Sequence, residues 1–287
     1  MRTITGFIKR HAVLTYYALV FATSWAGVLV VVGPTGFPGT SAQVERLMPL
    51  VILAFLVGPA LGGPMLTGLV YGRAGLRELL SRLLKWRVAA RWYAVALLTA
   101  PLLMMAVLLA LSLFSREFVP GIITSDDRAT LLLIGIATAV AAGFFEELGW
   151  TGFVIPELKR HHGVISTGLI VGVLWGAWHL LVYVWTSGTV SGTLPLAGYF
   201  LDAFLFLTLF RVLMVWVYDR TGSLLVAMLM HGSLTASARI LMPSRIAGVP
   251  LLTFDLVWVA ALCVVIAAIA VANSRRLSRQ PLWSRAA

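Results

Sequence analysis

The sequence predicts an all-α, polytopic membrane protein of about eight transmembrane helices, with both termini in the cytoplasm. Three observations carry that expectation. Of 287 residues, 60% are hydrophobic and 11% charged, against roughly half and a quarter in soluble domains. The apolar residues gather in runs of about 20, the length that crosses a ~30 Å hydrocarbon core. Lys and Arg collect in alternate loops, as they do when one side of the bundle faces the cytoplasm.

The first run, 12–33, follows a basic flank of Arg2, Lys9 and Arg10. It continues through "VLVVVG", too long for the apolar core of a signal peptide, so a retained first helix is expected. The second run, 48–71, leads into "GRAGLRELLSRLLKWRVAARW". Leucines at helical spacing among basic residues there read as an amphipathic helix over 74–90 on the anionic cytoplasmic leaflet, or as a basic topogenic loop. Runs 91–114, 129–156, 164–186, 195–218, 222–242 and 253–272 complete the eight. No repeat or long linker interrupts them, so residues 1–287 read as a single integral-membrane domain.

Charge placement supports that count. With the N-terminus inside, the cytoplasmic segments hold Arg2, Lys9, Arg10, six basic residues between Arg73 and Arg91, Lys159, Arg160, Arg220 and the tail arginines 275, 276, 279 and 285. The opposite loops hold Arg46, Arg116, Arg128 and Arg245. The net charge of +11 is thus spread between apolar runs rather than along one face, which favours a lipid bilayer as partner and excludes nucleic acid. A bacterial-type plasma membrane is the expected location. The single Cys263 rules out an intrachain disulfide.

The run 129–156 carries "FFEELGWTGF", whose adjacent Glu146 and Glu147 are its only charges. A charged residue at the middle of a spanning helix costs about 2.5–3.5 kcal/mol on insertion scales, so an intramembrane carboxylate is a functional hypothesis by default. At about 1.5 Å per residue, Glu146 lies roughly 15 Å from the cytoplasmic end, His179 roughly 20 Å and His231 roughly 14 Å. These similar depths on three helices predict one shared site, with the substrate peptide presented near the cytoplasmic side. Neighbouring residues point about 100° apart, so one glutamate is expected to meet the site while the other braces a neighbouring helix. Trp175 shares a face with His179 and is expected to wall the cavity. Thr235 shares one with His231 and offers a hydroxyl. Asp202 and Arg239 are expected to pair, and Arg211 either snorkels or reaches Glu147.

The constellation resembles the CAAX-processing and bacteriocin-processing (CPBP, or Abi) family of intramembrane endopeptidases. The family's first motif is a Glu-Glu pair with an arginine four positions after the second Glu; "EELGWTGFVIP" (146–156) keeps both glutamates. Its second is an aromatic, three residues, then histidine, and "WGAWH" (175–179) matches with Trp for the usual Phe. Its third is a histidine after an Arg-Thr-Gly-Ser-Leu lead-in, as in "DRTGSLLVAMLMHGSLT" (219–235). The resemblance covers residues 130–240. Thr151 stands where the motif arginine is expected, and Thr235 where an asparagine is often found.

The resemblance implies peptide hydrolysis of a membrane-associated substrate, prenylated at its C-terminus or a peptide precursor. Glu146, Glu147, His179, His231 and Thr235 are the implied catalytic residues. Two versions stay open. In one, Glu146 deprotonates water while His179 and His231 stabilise the oxyanion, since a carboxylate deprived of water is a stronger base. In the other, His179, His231 and Glu146 hold Zn2+ with a water in the fourth position, the second glutamate acting as base. A proton-coupled transporter also uses intramembrane Glu and His, and a non-catalytic immunity or regulatory protein on the same fold is the third reading.

Overall fold

The computed structural model describes residues 2–33, 36–187, 198–244 and 246–272. Among the described residues, nine principal helices follow one another: α1 (Arg2–Arg10), α2 (Ala12–Val32), α3 (Ser41–Leu83), α4 (Ala90–Ser112), α5 (Arg128–Gly149), α6 (Val164–Thr186), α7 (Leu207–Thr221), α8 (Leu224–Leu241) and α9 (Gly248–Ala272). Among the described residues, seven helices are long and apolar enough to cross a membrane. Their outward faces are apolar too: on α5, Leu133 is 69% and Val140 65% exposed. Only a lipid solvent makes such a surface favourable. The chain is an all-α polytopic integral membrane protein.

The expected sixth span, 195–218, is the exception. Its described part, from Gly198, runs through a π-helical stretch, Phe200–Phe206, before α7 takes over for 15 residues. At 1.5 Å per residue α7 alone covers about 22 Å, short of a ~30 Å core. The π-helical turns extend this segment at its N-terminal side.

Local chemistry sets the helix ends that matter. Thr40 and Gln43 form a reciprocal capping box at the start of α3. Asp127 caps α5 by accepting from the Thr130 N–H at 3.0 Å. Hydrogen bonds from Thr130 hold that carboxyl below its ordinary range. The α7–α8 turn explains the "RTGSL" segment: Gly222, at φ 58°, ends α7 in the left-handed conformation that glycine tolerates. Ser223 then caps α8 by accepting from Val226 N, and its hydroxyl donates to Lys85 O at 2.7 Å.

Beyond a break at Gly72 (φ 64°), α3 continues as a basic arm to Leu83. Leu79 on that arm packs against Leu224 and Met228, while Leu76 and Leu80 stay exposed. The main packing partners are α5 with α8, α6 with α7, α2 with α3 and α4 with α8. This places α8 between α4 and α5, at the centre of the bundle.

Candidate active site

Glycines set the crossing that assembles the site. A Cβ on Gly143 would lie 2.5 Å from the Met228 carbonyl oxygen and 3.1 Å from Gly232 N. A larger residue there would push α5 away from α8. The resulting backbone contact brings Glu146 and Glu147, one turn on, beside His231. Because neighbouring positions diverge by about 100°, the two carboxylates part company.

Glu147 turns into the protein and is fully buried. Arg211 Nη1 donates to its Oε1 at 2.8 Å and its Oε2 at 2.9 Å. His231 Nδ1 donates to Oε1 at 2.7 Å, and the Thr151 hydroxyl donates to Oε2. The Arg211 guanidinium also lies 4.0 Å from the Trp175 ring centroid, a cation–π contact in a desolvated setting. Every lone pair direction of Glu147 is thus engaged by a donor, and its charge is neutralised inside the bundle.

Glu146 faces the other way. It lines a cavity of about 440 Å³ together with Trp175, His179, His231 and Thr235. Trp175 Nε1 donates to Glu146 Oε2 at 2.7 Å. His179 Nδ1 hydrogen-bonds Trp175 O at 2.8 Å. A carbonyl or carboxylate oxygen only accepts, so both imidazoles carry hydrogen on Nδ1. Each neutral ring then keeps a lone pair on Nε2. Trp175 therefore fixes two catalytic candidates at once, one through its indole N–H and one through its backbone.

Four of the five expected site residues, Glu146, His179, His231 and Thr235, line the one cavity. Glu147 does not. It braces His231 and α7 from behind, because its side chain leaves the helix on a different bearing from that of Glu146. Thr235 faces the cavity, but its hydroxyl donates back to His231 O at 3.3 Å. Arg211 reaches Glu147 rather than snorkelling. Trp175 walls the cavity, as its helical register predicts, while Trp178 is buried and stacks on Phe55 at 3.6 Å. The Asp202 side chain, and so its expected pairing with Arg239, lies outside the described residues.

The zinc expectation has donors of the right kind, since imidazole Nε2 and carboxylate oxygen both ligate that ion. Among the described residues, no three His, Cys, Asp or Glu side chains are grouped so that they could hold one ion.

Two features of the site carried little or no sequence signal. The indole N–H of Trp175 bonds Glu146 across 29 residues of chain, a pairing that helical register on one segment does not reveal. Tyr16 of α2, fully buried and edge-on to Trp150 at 5.4 Å, closes the floor from a helix with no polar motif at all.

Residues 128–237 match the family model of the type II CAAX prenyl endopeptidases, described as Rce1-like. A CAAX prenyl protease 2 of Methanococcus maripaludis is 24% identical over 143 residues, which make up 48% of this chain and 51% of that protein. The chain thus spans about half the length of the curated relative it matches. Over the segment that bears all three motifs, the chain's resemblance to the CAAX-processing and bacteriocin-processing intramembrane proteases is borne out.

Proposed function

We propose that this protein is an intramembrane endopeptidase that hydrolyses a peptide bond in a membrane-associated peptide, by a route driven by Glu146. Prenylated CAAX-type C-termini are the substrate class that its relatives' names suggest, and peptide precursors the one that the motif resemblance adds. One observation carries the reading: a carboxylate and two imidazoles meet at one cavity, and a second carboxylate holds one of those imidazoles in place from behind.

The chemistry follows from the hydrogen bonds. With Oε2 occupied by the indole N–H, Glu146 keeps one oxygen without a protein partner among the described residues. That oxygen takes a proton from a water in the cavity as the water oxygen adds to the scissile carbonyl carbon. The C–N bond then breaks, and the proton passes from Glu146 to the departing nitrogen. Meanwhile the carbonyl oxygen gains negative charge and needs donors. His231, held at Nδ1 by the Glu147 carboxylate, supplies one from Nε2 in its doubly protonated form. His179, whose Nδ1–H is held by the Trp175 carbonyl, presents an Nε2 lone pair that accepts from the attacking water and orients it. Thr235 contributes only if its hydroxyl turns away from the helix backbone.

Glu146→Gln and His231→Ala, purified in detergent and given membrane-anchored peptides, test this directly. Both are expected to fold and to lose cleavage by at least about 100-fold, the scale of lost acid–base catalysis. Retained cleavage in Glu146→Gln overturns the assignment. Metal content measured on the same active wild-type sample separates the two versions: activity without stoichiometric zinc supports the metal-free route, and activity lost with zinc removal and restored by its return supports the other.

A further inference from the structure

The cavity has a direction. On α8 its lining runs from His231 forward to Arg239, on α6 from Trp175 forward to Thr186, and on α5 from Glu146 backward to Thr138. On α3 it occupies positions 48–56, again the N-terminal half of the span. In an antiparallel bundle these paths all lead to one end, the end at which α2, α4, α6 and α8 finish and α3, α5 and α9 start. Exposure rises along the way. His231 is 2% exposed at the bottom, whereas Ala238 and Arg239 near the rim are exposed.

The other direction is closed. Below Glu146, the Glu147–Arg211 pair, Thr151, Trp150 and Phe153 are buried to 2% exposure or less. Tyr16 packs across that floor against Trp150 and Phe153, with ring centroids 5.4 and 5.7 Å away. Two cavities at the opposite end of the bundle, around Tyr71–Arg160 and Lys85–Asp219, contain none of Glu146, His179 or His231.

That closed end is the basic one. Among the described residues it bears Lys9 and Arg10, the six Lys and Arg residues between Arg73 and Arg91, Lys159, Arg160 and Arg220, against Arg46, Arg116 and Arg128 at the open end. Short loops rich in Lys and Arg stay in the cytoplasm. We infer that the scissile peptide reaches Glu146 from the face opposite the cytoplasm. The substrates are then extracytoplasmic segments of membrane-anchored peptides, not C-termini presented in the cytosol. This reverses the side that site depth alone suggests, because depth locates the carboxylate but not the way in. The cleavage part of the inference rests on the endopeptidase reading; the direction of access does not.

Single-cysteine variants read the direction without any need for activity. In a Cys263→Ser background, Ala238→Cys sits near the open rim and Ser81→Cys on the exposed basic arm, with Arg239→Cys as a second rim position should the first not fold. Intact cells are treated with a membrane-impermeant maleimide, and permeabilised cells serve as the reference. The expected pattern is labelling of the rim cysteine in intact cells and of Ser81→Cys only after permeabilisation. The reverse pattern overturns the inference, as does a rim cysteine that stays unlabelled in both preparations. If the rim labels as expected yet the wild-type protein cleaves no peptide, the endopeptidase reading fails and the direction of access stands.

Discussion

At the scale of single residues, the departure of Thr151 from the motif arginine has a structural answer in Arg211. The family pattern places a cation four positions after the second glutamate, on the same helix. Here a hydroxyl occupies that place and bonds Glu147, while the cation comes from α7, 64 residues along the chain. The pair is buried to 0% on both sides, so removing either partner leaves an uncompensated charge, at a cost of about 3–5 kcal/mol. Arg211→Met is expected to lower thermal stability in detergent by that order. The double variant Arg211→Met with Thr151→Arg returns the cation to the motif position and is expected to recover part of the loss. Additive losses in the double variant would show that the two positions do not serve the same carboxylate. Trp175 makes a second case. Among the described residues its indole N–H is the one protein donor to Glu146, and such a bond to a charged acceptor is worth about 1.5–3 kcal/mol. Trp175→Phe keeps the wall but loses the donor, so kcat is expected to fall by about 10- to 100-fold with folding intact.

At the scale of helices, the site depends on how closely α5 and α8 approach. Gly143→Ala puts a methyl 2.5 Å from Met228 O. The α5–α8 distance must then grow, at about 1–3 kcal/mol for overpacking. The His231–Glu147 bond stretches with it, so cleavage is expected to fall more steeply than the melting temperature alone accounts for; a variant equally active per folded molecule contradicts this. The same crossing shows what sequence reasoning reaches. Helical register places Trp175 with His179 and separates Glu146 from Glu147, because both statements concern one helix and its 3.6-residue period. Arg211 stays divided between two fates in sequence, because no spacing rule links α7 to α5. The π-helical turn Trp150–Val154 is equally invisible, since "WTGFV" offers no breaker that distinguishes a wider turn from an α-helix. The same holds for the π-helical stretch that opens the sixth span, where the apolar run gives no sign of the change in winding.

At the scale of the whole molecule, the membrane turns a helical bundle into a vessel with one open end. The apolar runs and the basic loops are legible because lipid and topology act on composition, which a sequence carries directly. Which end of the vessel is open is not, because closure is made by Tyr16, Trp150 and Arg211 meeting from three separate helices. A cavity of about 440 Å³ is at the small end for binding sites, enough for a few side chains around a scissile bond, so its walls limit what passes. Thr138 lies two turns of α5 above Glu146, about 12 Å along the helix, too far to touch the carboxylate. Thr138→Trp narrows the passage without altering the catalytic hydrogen bonds. For a long membrane-anchored peptide, kcat/KM is expected to fall by about tenfold or more, mostly through KM, while kcat for a tripeptide-sized substrate changes little. Equal losses for long and short peptides would mean that the tryptophan disturbs the reacting groups. No loss for either would mean that substrate arrives by another path, past the Glu147–Arg211 floor or sideways from the lipid.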